Sequence, residues 1–559
     1  MSRSPDRAAQ RRFALDNHSP GVILCVWVVA LSQQVKQLTL NQVVAGLNPA
    51  RGTVPLQLIP GSWETEIKLS RTITKQSAIT LVELSPTLFG VLDGKPSFDV
   101  YSQFRLPARA LHALEGVLRA DDWQNVQSIM PAIHGKKGRL TEENHRRIRE
   151  SAVLAIGSIL RTTPQSMALV RLYKQANPDG IVIVGGTAPT FAIPEWLSVA
   201  DVVVCGEGER TLSELMTRIE KGEGLEDLDG VAFKKGRQIV VTHPRRLMTS
   251  EEMSRLPHPY YDERTRSRVR VATMETARGC PNNCNFCCVT EFYGGKYRAK
   301  SIDYVIDGLQ RIQGMAGRVF FVDDNFYGDP RRAMDMVNAI ADSPVRRIMG
   351  TVQLTVKAAK DAAFLNALRK AGIWSVCLGI ESVVDQTLKD YGKPASAEQN
   401  KEAARTFREA GFWVHGLMML GGDGDTPESL KETSEWLNQN LDSIELFAPT
   451  PYQGTRFHAR MQSEGRILTD DLSIYDGQHV VIRPNNLSAF QLQETITRIY
   501  ESFYSWPRIL QRTFNGPHKE FIHFKHNVTI NSYVALRSIS ECLRDPQTRK
   551  YLEFLKSIG

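Results

Sequence analysis

Arg278-Gly279-Cys280-Pro281-Asn282-Asn283-Cys284-Asn285-Phe286-Cys287-Cys288 gathers four of the chain's eight cysteines into one short window. Cys280, Cys284 and Cys287 are spaced Cys-x3-Cys-x2-Cys, so three thiolates on a single loop can converge on one inorganic site. Three ligands can hold three irons of a 4Fe–4S cluster and leave the fourth iron open. An open position separates a reactive metal site from a closed structural one. The competing reading is a zinc knuckle, which wants a fourth Cys or His at finger-like spacing. Cys288 directly follows Cys287 and cannot easily point into the same site, so it reads as a small packing residue.

Outward from this loop the chain alternates apolar strands with helical stretches. Arg318-Val319-Phe320-Phe321-Val322 ends in Asp323-Asp324-Asn325, and Ile348 to Leu354 carries Gln353 near its end. Ser375-Val376-Cys377-Leu378 closes on Gly379-Ile380-Glu381-Ser382, and Val414 to Leu420 on Gly421-Gly422. Helical runs follow, among them Ala362 to Ala371 and Ser429 to Leu437. Such alternation predicts a parallel β/α array, with sites at the carboxyl ends of its strands.

In these motifs and their order the chain resembles radical S-adenosylmethionine (SAM) enzymes. The resemblance implies that the open iron chelates the methionine end of SAM and that the reduced cluster yields a 5′-deoxyadenosyl radical. It places Phe286 beside the adenine, Asp323 and Asp324 near the SAM amino group, and Glu381, Ser382 and Gln353 within reach of the ribose or the amine. A core aromatic for Phe286 and a helix cap for the aspartates are the structural alternatives. Tyr293, Tyr297, Arg298, His415, Tyr452 and Arg456 fall near strand ends, where substrate contacts are also available.

Upstream, Ala78 to Leu84, Ala152 to Gly157, Ile181 to Gly186 and Ala200 to Cys205 read as strands. The turns Ser158-Ile159-Leu160 and Gly185-Gly186 follow two of them. This segment resembles the cobalamin-binding domain that precedes the radical SAM core in one subclass. Ser158, Gly185 and Gly186 are then the cofactor-binding positions, because glycine lets a ligand approach the backbone closely. Asp16-Asn17-His18-Ser19-Pro20-Gly21 matches the axial-histidine pattern of other cobalamin proteins, but no strand precedes it and it reads as coincidence. Where relatives have Gly-Gly-x-His, this chain has Gly185-Gly186-Thr187-Ala188. Cobalamin is therefore expected to bind without a histidine ligand.

The expected fold is α/β: a doubly wound cobalamin-binding-like domain, a partial (β/α) barrel and a small helical carboxyl-terminal domain. Residues 1–75 form an unassigned extension, 76–245 the first domain, 246–265 a linker, 266–460 the radical SAM core and 461–559 the last domain. Tyr475 to Arg512 resembles the carboxyl-terminal part of cobalamin-type radical SAM enzymes, hopanoid methylases among them. Ser488 and Gln491 form a capping box there.

A length of 559 residues requires several cores. The net charge of +8 is mild, with no basic block dense enough to predict nucleic-acid binding. The apolar run 21–31 is too short to span a bilayer. Scattered cysteines outside the cluster loop fit a reducing, cytoplasmic location. The reaction expected is cobalamin-dependent C-methylation of an unactivated carbon in a small molecule (a lipid, tetrapyrrole or natural product). The electron would come from a donor such as ferredoxin or flavodoxin. A ring-forming oxidative cyclase of the same type and a non-catalytic iron–sulfur module are the alternatives.

Overall fold

The computed structural model describes residues 72–87, 90–94, 105–345, 348–515 and 546–558. His18, Cys25, the apolar run 21–31 and Cys542 lie outside the described residues.

The first sheet is built on β1 (Ile79–Glu83), β2 (Val126–Ile129), β3 (Val153–Gly157), β4 (Ile181–Gly185) and β5 (Val202–Val204). It is extended by the hairpin β6 (Val231–Lys235) and β7 (Gln238–Val241), in the order β2-β1-β3-β4-β5-β6-β7. Strands β1 to β5 are parallel, and the hairpin joins antiparallel. The 2-1-3-4-5 order opens a crevice between β1 and β3, beyond the carboxyl ends of the strands.

Period-two alternation splits this sheet between two cores. Leu81, Ala155, Ile183 and Val204 pack with Leu111, Leu212 and Leu215. Val82, Ile156, Val182 and Val184 pack on the other face with Leu169, Val170 and Trp196. The first of these cores runs on without a break into the second domain. The helices Arg109–Ala120 and Gly208–Lys221 therefore lie on the face turned toward that domain.

The second domain begins with β8 (Ala272–Met274) and a short antiparallel ribbon of β9 (Ala277–Arg278) and β10 (Arg298–Ala299). It continues with β11 (Arg318–Phe321), β12 (Met349–Thr355), β13 (Ile373–Glu381), β14 (Trp413–Met419) and β15 (Ser443–Phe447). Its six-stranded sheet is parallel throughout, in the order β15-β14-β13-β12-β11-β8. All nine residues of β13 are buried, as expected for a strand covered on both faces.

The intervening helices carry caps that the sequence supplies. Ser301, Asp329, Asp361, Ser396 and Thr426 each accept from a first-turn backbone N–H. The Ser488/Gln491 capping box opens the helix Ala489–Phe503. That helix closes the exposed edge of β15. Tyr504 Oη accepts from Ile444 N at 3.0 Å and donates to Ile444 O at 2.8 Å, while Tyr500 Oη accepts from Leu446 N at 2.7 Å. Two tyrosines one helical turn apart thus satisfy an edge that would otherwise invite pairing.

Candidate active site

The cluster loop leaves β9 and wraps over the carboxyl ends of the second sheet. Cys280, Cys284 and Cys287 line one cavity together with Phe286, Asp324, Gln353, Glu381 and Lys393. Among the described residues, no three Cys, His, Asp or Glu side chains are drawn together as a site for a single metal ion. The three cysteines instead ring a shared hollow. Burial pushes all three thiols upward, Cys280 to about 11. Metal binding at such thiols requires their deprotonation. Asn325 Nδ2 stands 3.7 Å from Cys280 Sγ, a donor aimed at a thiolate. Arg456 braces the loop from outside, donating to Asn283 O at 2.9 Å and Asn283 Oδ1 at 2.7 Å. Cys288 is 1% exposed and starts the helix Cys288–Tyr293, packed with Val289 and Phe292.

At the end of β13 the register shifts by a bulge between Gly379 and Glu381, and Glu381 adopts a left-handed φ of +63°. A carboxylate residue held in that region is strained, and such strain gathers at functional sites. The effect here is to turn the carboxylate into the cavity. Lys393 Nζ meets Glu381 Oε1 at 2.8 Å, with both side chains almost fully buried. Asn400 Nδ2 clamps the bend by donating to Ile380 O and Ser382 O, each at 2.8 Å. Phe286 packs edge-on against Tyr391, and Gln353 Nε2 donates to Asp323 O at 2.8 Å.

Two expected site residues stand elsewhere. Asp323 accepts from Thr276 N at 2.6 Å, from the Thr276 hydroxyl and from Ala277 N at 3.2 Å. Its carboxylate is spent on tying the start of β9 to the end of β11, and it does not line the cavity. Ser382 Oγ accepts from Val384 N at 3.0 Å and likewise turns away. Adjacent residues at a strand end point to opposite sides, so Asp324 alone of the aspartate pair faces inward. Asp324 Oδ2 accepts from Gly279 N at 2.9 Å. Burial pushes its carboxyl up to about 7, although the Gly279 N–H opposes the rise.

Several candidate substrate contacts are already committed to other partners. His415 is buried, shares a hydrogen bond of 3.0 Å with Ser443 Oγ, and is driven down to about 3 by burial. Arg298 pairs with Glu207 and donates to Met248 O. Tyr293 is the one that lines a second, larger cavity.

That cavity lies between the two domains. Its floor is the carboxyl end of the first sheet: Gly157, Ser158, Ile159, Gly185, Gly186 and Gly206. It runs deep between that sheet and the helix Arg109–Ala120, where Ala110, Ala113 and Ala155 leave room. Ser158 N donates to Gly185 O at 2.9 Å, and Gly186 has φ +98°. A Cβ on Gly186 would sit 2.7 Å from Ser158 O, whereas one on Gly185 would meet only ordinary contacts at 3.6 Å. Gly186 is therefore fixed by backbone conformation, and Gly185 keeps the floor open. Such a wide, glycine-floored hollow with an apolar cleft behind it suits a corrin and its nucleotide tail. No histidine stands among its described lining residues.

The far wall belongs to the second domain and is charged. Arg278 reaches Glu207 at 2.9 Å, Glu275 at 3.0 Å and Glu209; Lys300 meets Glu275 at 2.7 Å. Burial opposes ionisation of Glu207, yet Arg278 and Arg298 hold it below the usual carboxylate range. Lys300, pushed down to about 8 by burial despite Glu275, completes the group. Asp324 belongs to both cavities, and it is the one described residue that lines the two.

Sequence reasoning missed Lys393, Asn325 and the Glu207–Arg278 link. Only the Gly206-Glu207-Gly208-Glu209 turn carried a visible signal, two carboxylates at a strand end.

Comparisons with known proteins agree with this arrangement. Residues 100–216 match the B12 binding domain and residues 274–437 the radical SAM superfamily. An uncharacterized methyltransferase of Pyrococcus horikoshii is 27% identical over 61% of this chain and 76% of its own length. The hopanoid C-2 methylase of Rhodopseudomonas palustris is 30% identical over 53% and 55%, respectively. The anaerobic magnesium-protoporphyrin IX monomethyl ester cyclase of Rubrivivax gelatinosus is 24% identical over 62% and 64%. The structure of the cobalamin-dependent SAM radical enzyme OxsB shares the fold, with a TM-score of 0.61 at 15% identity, over 86% of this chain and 75% of that one. With a cobalamin-type sheet, a parallel second sheet under a three-cysteine loop and both family models matched, the chain belongs to the radical SAM enzymes that carry a cobalamin-binding domain.

Proposed function

We propose that this enzyme methylates an unactivated carbon of a small molecule. The observation that carries the reading is Asp324, which borders both the three-cysteine cavity and the glycine-floored cavity between the domains. A substrate resting there faces both cofactor sites at once. When bound, the cluster with SAM supplies a hydrogen-abstracting 5′-deoxyadenosyl radical, and the corrin supplies the methyl group.

The residues divide the remaining work. Cys280, Cys284 and Cys287 hold the cluster, and Asn325 steadies Cys280. Glu381, oriented by Lys393, and Gln353 bind the polar end of SAM, with Phe286 against its adenine. Ser158, Gly185 and Gly186 shape the corrin floor. The aromatic wall of Phe292 and Tyr293 keeps water from the radical's path. A low-potential donor of the ferredoxin or flavodoxin kind delivers the electron in the cytoplasm.

The named relatives include a cyclase, so ring formation is the second reading. Anaerobic turnover with SAM and dithionite separates the two. Methylation yields S-adenosylhomocysteine and 5′-deoxyadenosine in equal amounts and a product heavier by one CH2 unit. Abundant 5′-deoxyadenosine with no S-adenosylhomocysteine overturns methylation and supports cyclisation.

A further inference from the structure

The helix Trp506–Asn515 has two faces of opposite use. Ile509, Arg512 and Thr513 are buried, and Arg512 anchors the helix by donating to Phe503 O at 2.7 Å and lying over the Phe503 ring. The other face shows Trp506, Leu510 and Phe514 at i, i+4 and i+8, exposed to 52%, 44% and 68%. These are three of the nine large apolar side chains exposed among the described residues, and Phe554 of the helix Pro546–Ser557 and Ile558 just after it are two more. Both helices pack on Ala489–Phe503. Of the side chains on these two helices that are not buried, Arg508, Arg549, Lys550 and Lys556 are basic and Glu553 alone is acidic.

We infer that this carboxyl-terminal face docks on an anionic phospholipid bilayer, with Trp506, Leu510 and Phe514 set into the interface. Exposed aromatic and leucine side chains beside basic residues are how a helix lies on a membrane without crossing it. Anionic headgroups attract such basic stretches. No helix among the described residues is long and apolar enough to span a bilayer, so docking here means a surface contact. A second copy is a poorer occupant. One short helix offers three large side chains, far below the roughly 800 Å² per partner of a stable interface. The docking also narrows the substrate to an amphiphile taken from the bilayer, a consequence that rests on the methylation reading above.

Co-sedimentation of the full-length holoenzyme with vesicles tests this directly. Vesicles of phosphatidylglycerol and phosphatidylethanolamine should carry down the wild type, and pure phosphatidylcholine vesicles should carry at least tenfold less. The double variant Trp506→Glu, Leu510→Glu should lose at least tenfold in partitioning to the anionic vesicles. It should still release 5′-deoxyadenosine from SAM in vesicle-free buffer, which shows that the fold is intact. A wild type that does not sediment overturns the docking. Equal sedimentation of variant and wild type also overturns it, as does a dimer in light scattering that the variant abolishes. None of these outcomes bears on SAM cleavage, so the radical reading stands or falls separately.

Discussion

Arg278 Nη1 donates to Glu207 Oε1 at 2.9 Å across the boundary between the two sheets, with both side chains less than a tenth exposed. Arg278 stands two residues before Cys280, and Glu207 belongs to the turn that floors the corrin cavity. One guanidinium therefore links the cluster loop to the cobalamin-binding domain. Buried ion pairs contribute little net stability against a hydrophobic replacement, but breaking one partner leaves an uncompensated charge.

Arg278→Ala leaves buried Glu209 without its cation, while Glu207 keeps Arg298 and Glu275 keeps Lys300. The expected loss is about 3–5 kcal/mol, read as a lower denaturant midpoint. Cobalamin retention should fall with it, because Glu207 also accepts from Met248 N at 2.8 Å and positions the approach to the linker. Arg278→Lys should recover only part, since an ammonium cannot engage three carboxylates as a planar fork does. An alanine variant as stable as the wild type would show the link to be idle.

Replacing Cys280, Cys284 or Cys287 by alanine should remove the cluster's visible absorbance and SAM cleavage. Cys288→Ala should keep most of both, because it loses only a small buried contact, about 1 kcal/mol. Lys393→Met should spare the cluster absorbance but weaken SAM binding at least tenfold, since Glu381 loses the cation that orients it. Equilibrium dialysis with labelled SAM checks the last point.

The sequence made strands legible where both faces are buried, as in β3, β4 and β13. It hid β2, whose Val126-Gln127-Ser128-Ile129 is a half-polar edge, and the β6–β7 hairpin, whose alternation is broken by Lys234 and Lys235. The cysteine loop was legible because its three thiols stand close together in the sequence. Glu207 and Arg278 lie 71 residues apart, so no spacing betrays them. Asp323 and Asp324 look alike as letters and differ only in which side of the strand end they occupy.

Glu445 gives a pH test. It is buried on β15, opposite Leu417, and burial pushes its carboxyl up to about 8 despite help from Arg161 and Tyr500. A raised folded pKa contributes stability that is complete below the unfolded value near 4.5 and is lost as pH rises through about 8. Glu445→Gln keeps the shape and removes the ionisation. Its thermal midpoint should therefore gain on the wild type between pH 5 and pH 9, with the largest difference above pH 8. A constant difference across that range would mean the carboxyl ionises freely.

Gly186→Val should abolish cobalamin binding and leave the cluster intact. The backbone there holds φ +98°, which a β-branched residue adopts only with strain, and the new Cβ would lie 2.7 Å from Ser158 O. Ser158 N is itself tied to Gly185 O, so the two turns cannot separate to relieve the clash without opening the corrin floor. The cluster loop belongs to the second domain and makes no use of that floor. Reconstituted variant protein should therefore show the full iron–sulfur absorbance, release 5′-deoxyadenosine from SAM, and form no methylated product. Gly185→Ala meets only ordinary contacts within the protein, so any loss of corrin there reports the ligand's own need for space. Cobalamin retained by Gly186→Val at wild-type levels would remove this turn from the binding site.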